Sequence, residues 1–93
     1  MDLNEEQLKN IYELAYRLLE PKEIALAIGL DVEEFCLECQ IQSTEASKKY
    51  YEGRLQQIAE IREQMIKAAK NGSNPAQEML LALLNHTCED IIL

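Results

Sequence analysis

Only three glycines and two prolines interrupt this chain of 93 residues, and that scarcity limits its fold more than any other feature. Proteins built from many short strands need frequent turns, and turns draw heavily on Gly and Pro. Uninterrupted stretches are free to coil, and here apolar residues recur at the three- and four-residue steps of a helix. The expectation is an all-α protein: a helix-turn-helix unit of three short helices followed by a long-helix hairpin. Residues 1–93 read as one domain, with 1–42 as the helix-turn-helix subdomain, 43–85 as the hairpin and assembly region, and 86–93 as a tail.

Five helical segments carry this pattern. The first runs from about Glu5 to Leu19, with Leu8, Ile11, Tyr12, Ala15, Leu18 and Leu19 on one stripe and Asn4 and Gln7 placed to cap its start. Pro21 opens the second, because its fixed φ suits a first helical turn, and Gly29 closes it. Asp31 opens the third, whose buried stripe is Val32, Phe35, Cys36 and Cys39. Ser43 or Thr44 caps a fourth helix that reaches about Lys70, with Tyr51, Leu55, Ile58, Ile61, Met65 and Ala68 along one side. The run Asn71-Gly72-Ser73-Asn74-Pro75 is a stop, turn and restart. The fifth helix spans about Pro75 to Asn85. Its Ala76, Met79, Leu80, Leu83 and Leu84 follow the helical period, and Leu81 and Ala82 widen the apolar surface.

That surface bears on assembly. A chain this short buries only about 60–65% of its unfolded surface. A fourth helix of ~40 Å and a fifth that is apolar on most sides exceed what one copy can cover. Copies are therefore expected to pair as a homo-oligomer through Tyr51, Leu55, Ile58, Met65, Met79, Leu80, Leu83 and Leu84. The alternative is that the first three helices fold over this surface within one copy.

Charge is unevenly spread. The net charge is -8, which repels nucleic acid unless the bases are segregated. Residues 43–70 carry six of the nine bases against four acids, while residues 21–42 carry one base against five acids. No apolar run is long enough to cross a bilayer, and the N-terminus is acidic and polar, unlike a signal peptide. Three cysteines without an export signal read as free thiols in a reducing cytoplasm.

Two helices meeting at a tight corner need a small residue at the approach, a residue free to take positive φ, and apolar residues to hold the angle. Ala25, Gly29, and Ile24, Ile28, Leu30 and Phe35 supply these in turn. Such a unit normally reads DNA with its second helix. Here that face presents Glu33, Glu34, Leu37, Glu38 and Gln40, with no Arg to approach guanine. If duplex DNA is bound, Lys22, Lys48, Lys49 and Arg54, and in addition Arg62, are the groups that would meet phosphate. The competing reading makes Lys48, Lys49 and Lys67 solvated surface, paired with Glu45, Glu52 and Glu63.

The order of parts resembles the small terminase subunit of tailed bacteriophages and related prophage helix-turn-helix proteins. The text that carries this is Pro-Lys-Glu-Ile-Ala-Leu-Ala-Ile-Gly-Leu-Asp-Val-Glu-Glu-Phe (21–35), Tyr50-Tyr51-Glu52-Gly53-Arg54, Ile61-Arg62, and Ala68-Ala69-Lys70-Asn71-Gly72-Ser73-Asn74-Pro75-Ala76-Gln77. It covers about residues 20–85. The resemblance implies a DNA-recognition subunit that marks phage DNA for packaging. It also implies a ring-forming oligomer built through a helical hairpin, and a tail that contacts the large ATPase subunit. By position, Pro21–Ile41 would face DNA, residues 44–85 would assemble, and Ile91–Leu93 would dock. Two features depart from the family: the acidic second helix of the unit, and the short chain. They favour the alternative of a helix-turn-helix-fold interaction module or regulator that binds protein and not DNA.

Catalytic chemistry finds no constellation. Cys36 and Cys39 with His86 and Cys88 could make four zinc ligands, but the first pair lies within a helix and the second is spaced unlike a ribbon or finger, so buried thiols are the simpler reading. His86 and Cys88, two residues apart on one helix, face apart. There is no Gly-rich phosphate loop. No enzyme activity and no cofactor are expected.

Overall fold

The computed structural model describes the backbone of residues 1–42 and 44–92 and the side chains of residues 1–42 and 44–85. The described residues form five helices and no strand: α1 (Glu5–Tyr16), α2 (Pro21–Ile28), α3 (Val32–Ile41), α4 (Glu45–Lys70) and α5 (Asn74–Ile92).

Local chemistry sets each boundary. Asn4 Oδ1 accepts from the Gln7 amide at 2.8 Å, and Gln7 Oε1 accepts from the Asn4 amide at 3.0 Å, so α1 opens on a full capping box. Glu23 accepts from the Glu20 amide at 2.9 Å ahead of Pro21. Asp31 accepts from the Glu34 amide at 2.8 Å and starts α3. Thr44 caps α4, its hydroxyl accepting from the Ser47 amide at 3.2 Å; Ser43 lies outside the described residues. Between α4 and α5, Gly72 sits at φ 94°, with Ser73 N–H donating to Ala68 O and Gly72 N–H to Ala69 O. These are the crossed bonds of a Schellman stop. Ser73 then caps α5, accepting from the Ala76 amide at 3.4 Å.

Two helix ends differ from expectation. α1 stops at Tyr16 and not Leu19, because the chain turns into the left-handed region at Leu18 (φ 65°). Leu19 N–H donates to Leu14 O and Leu18 N–H to Ala15 O, which is again a Schellman stop, here without glycine. At the other end, α5 runs through Ile92, so the segment expected as a tail from residue 86 has a helical backbone. No Gly or Pro lies between Pro75 and the end of the chain to break it.

The chain divides into two compact units, Met1–Ile58 and Ala59–Leu93, and the division falls inside α4. In the first, Ile11 and Ala15 of α1, Ile24 and Ala25 of α2, and Phe35 and Cys39 of α3 are buried together with Ala46 and Tyr50 of α4. The inward side of α4 here is Ala46, Ser47, Tyr50 and Gly53, and the expected stripe position Leu55 is exposed. Gly53 is where α4 meets α1: a Cβ there would collide with the Tyr12 carbonyl oxygen and crowd the Ala15 Cβ. In the second unit, Ala69 and Ala76 are buried on either side of the turn, and Gln77 Nε2 donates to Ala69 O at 3.0 Å. Met65, Ala68, Leu80 and Leu83 are half-buried.

Candidate functional site

Within the second unit, α5 shows more apolar surface than its own unit hides. At about 100° per residue, Met79, Leu83, Ala76, Leu80, Leu84 and Leu81 follow one another around an arc of about 200°. The middle of that arc, Ala76, Leu80 and Leu83, is buried or half-buried, and its edges are open. Met79 is 56% exposed, Leu81 60% and Leu84 53%. On α4, Leu55, Ile61 and Ile66 are exposed as well, and Ile58 is half-buried. Tyr51 is engaged in the first unit: its hydroxyl donates to Cys39 O at 3.2 Å and accepts from Gln42 Nε2 at 3.3 Å.

The candidate phosphate contacts separate into two kinds. Lys22, Lys48 and Arg62 are exposed and make no ion pair among the described residues. Lys49 pairs with Glu52 at 3.2 Å, and Lys67 with Glu63 at 3.4 Å. Arg54 is half-buried, with Nη1 enclosed and without a hydrogen-bond partner among the described residues. Its charge faces the Tyr50 phenol, whose pKa burial pushes up against the opposing pull of Arg54. Tyr50 packs edge-on to Tyr51, ring centroids 5.0 Å apart, and is buried, so it presents no face to a base.

The outer side of α3 carries Glu33, Glu34, Leu37, Gln40 and Ile41, all exposed. Glu38 is turned inward relative to them. One of its oxygens accepts from the Met1 amine at 3.0 Å, and the other is enclosed without a partner among the described residues. The hydrogen bond and charge of Glu38 raise the pKa of that amine.

Cys39 is buried, and desolvation raises its thiol pKa to about 11. Such a thiol is a poor nucleophile and a poor metal ligand. Cys36 is half-exposed, and no metal-holding group of His, Cys, Asp or Glu occurs among the described residues. The side chains of His86 and Cys88, and the docking residues Ile91–Leu93, lie outside what is described. No helix is long and apolar enough to cross a membrane among the described residues.

Sequence reasoning overlooked two residues that shape this surface. Gly53 in mid-helix signals a close approach, since an unneeded glycine there costs about 1 kcal/mol. Leu18 at positive φ left no signal, because leucine seldom adopts that conformation. Comparison with protein-family models, curated proteins and solved structures finds no match for the chain.

Proposed function

We propose that the chain is a non-catalytic, DNA-binding packaging adaptor of the small terminase kind, acting as a homo-oligomer. In this reading α1–α3 form a helix-turn-helix unit, and α4 and α5 form the hairpin through which copies assemble. The large ATPase subunit would engage the end of α5. The observation that carries the reading is the pair of open apolar edges on α5, at Met79 and at Leu81 with Leu84. Apolar surface contributes roughly 25 cal/mol per Å² removed from water, and a second copy supplies the cover that the first lacks.

Phosphate contact narrows to Lys22, Lys48 and Arg62, the candidates that are exposed and make no ion pair among the described residues. A few such cations bind weakly, but assembly repeats them on every copy, and linked weak contacts multiply. Lys49 and Arg54 contribute less, being held by Glu52 and by burial beside Tyr50.

A labelled duplex titrated with the full chain at rising salt tests the reading. Binding should weaken steeply with salt, and Lys22→Ala with Lys48→Ala should flatten that slope. A chain that assembles but leaves duplex DNA unshifted at low salt would end the DNA-binding part. The second reading, a protein-interaction module, is favoured by the acidic outer side of α3, which sets two carboxylates where a DNA reader would meet phosphates.

A further inference from the structure

We infer that the outer side of α3 is a docking face for a basic amphipathic helix of another protein. The inference goes beyond the adaptor reading and holds whether or not DNA is bound. Leu37 and Ile41 are 57% and 56% exposed, one helical turn apart on the same side. They occupy the centre of the face. Glu33 and Glu34 flank them one turn toward the N-terminus, and Gln40 lies beside Leu37. The Met1 amine, 3.0 Å from Glu38, also lies 3.7 Å from Glu34; Glu33 makes no ion pair among the described residues, and these carboxylates outnumber that one ammonium, so the face stays acidic.

The inner side of the same helix is fixed. Phe35 is fully buried and Cys39 nearly so, Asp31 caps the start, and Gln42 closes the end in the left-handed conformation. A face held this rigidly is ordered before a partner arrives, which lowers the entropy cost of binding. Exposed Leu and Ile at i and i+4 suit the apolar ridge of a partner helix laid against them. The two carboxylates select the sign of that helix: lysine or arginine one turn from its apolar anchors is attracted, and an acidic helix or a phosphate backbone is repelled.

The test uses the full chain and two designed helical peptides of identical apolar heptad pattern, one filled with Lys and the other with Glu, followed by fluorescence anisotropy. The Leu/Lys peptide should bind, with affinity falling as salt rises, and the Leu/Glu peptide should not. The double variant Leu37→Ser, Ile41→Ser should weaken binding by on the order of tenfold. These side chains face solvent, so its melting temperature should match the parent. Glu33→Gln with Glu34→Gln should remove most of the salt dependence, while Leu26→Ser, at an exposed leucine of α2, should leave peptide binding unchanged. Unaltered affinity of the Leu37/Ile41 variant, loss of the peptide from the Leu26 variant instead, or equal binding of the Leu/Glu peptide would each overturn the assignment.

Discussion

Two backbone positions hold much of the residue-scale information. Gly53 has no room for a methyl group against the Tyr12 carbonyl. Gly53→Ala should therefore cost at least about 2 kcal/mol, despite the better helix propensity of Ala, as read by chemical denaturation; an unchanged midpoint would contradict the close approach of α1 and α4. Leu18 shows the opposite case. It holds φ 65° at the end of α1 with its side chain partly in solvent, so Leu18→Gly should relieve the strained backbone and stabilise by about 0.5–1 kcal/mol, seen as a rise in melting temperature. Cys39 sets a pH dependence. Its thiol pKa is raised from 9.0 to about 11 in the fold. The folded state thus keeps a proton that the unfolded chain releases, so this contribution is whole below pH 9 and is lost as pH rises toward 11. The loss is on the order of 2 kcal/mol, and Cys39→Ser should flatten the alkaline limb of a stability-against-pH curve.

At the scale of elements, legibility followed the local chemistry. Asn4, Gln7, Pro21, Gly29, Asp31 and the 71–75 run each act within a few residues of themselves, and each marks a helix end in the structure. The errors arose where a distant partner decides. The end of α1 depends on leucine accepting a conformation that leucine disfavours. The inward side of α4 depends on what packs against it, and small residues at Ala46, Ser47 and Gly53 admit α1–α3 where a count of large apolar residues chose Leu55. The charged candidates were legible as a list but not as a set: only packing reveals that Arg54 is half-buried while Lys22 and Lys48 remain open. The α2–α3 corner gives an element-scale prediction. Gly29 holds φ 75° with open space where a Cβ would stand, so the cost of substitution is conformational and not steric. Gly29→Val should lower stability by about 1–2 kcal/mol, measured by thermal melting, and no change would mean that the corner tolerates a β-branched residue.

For the molecule as a whole, apolar surface left uncovered is the deciding property. The first unit wholly encloses Ile11, Ile24 and Phe35 but leaves Leu26, Leu37, Ile41 and Leu55 more than half exposed. Among its described residues, the second buries only the alanines Ala69 and Ala76 and leaves Met79, Leu81 and Leu84 more than half exposed. A monomer seldom maintains so wide an apolar helix in water, and association is the ordinary remedy. The most direct measurement is solution mass by light scattering on the full chain at high micromolar concentration. A multiple of 10.7 kDa is predicted, collapsing toward a single copy in Leu81→Ser with Leu84→Ser while helicity is kept. A parent chain that stays at 10.7 kDa at every concentration would contradict it.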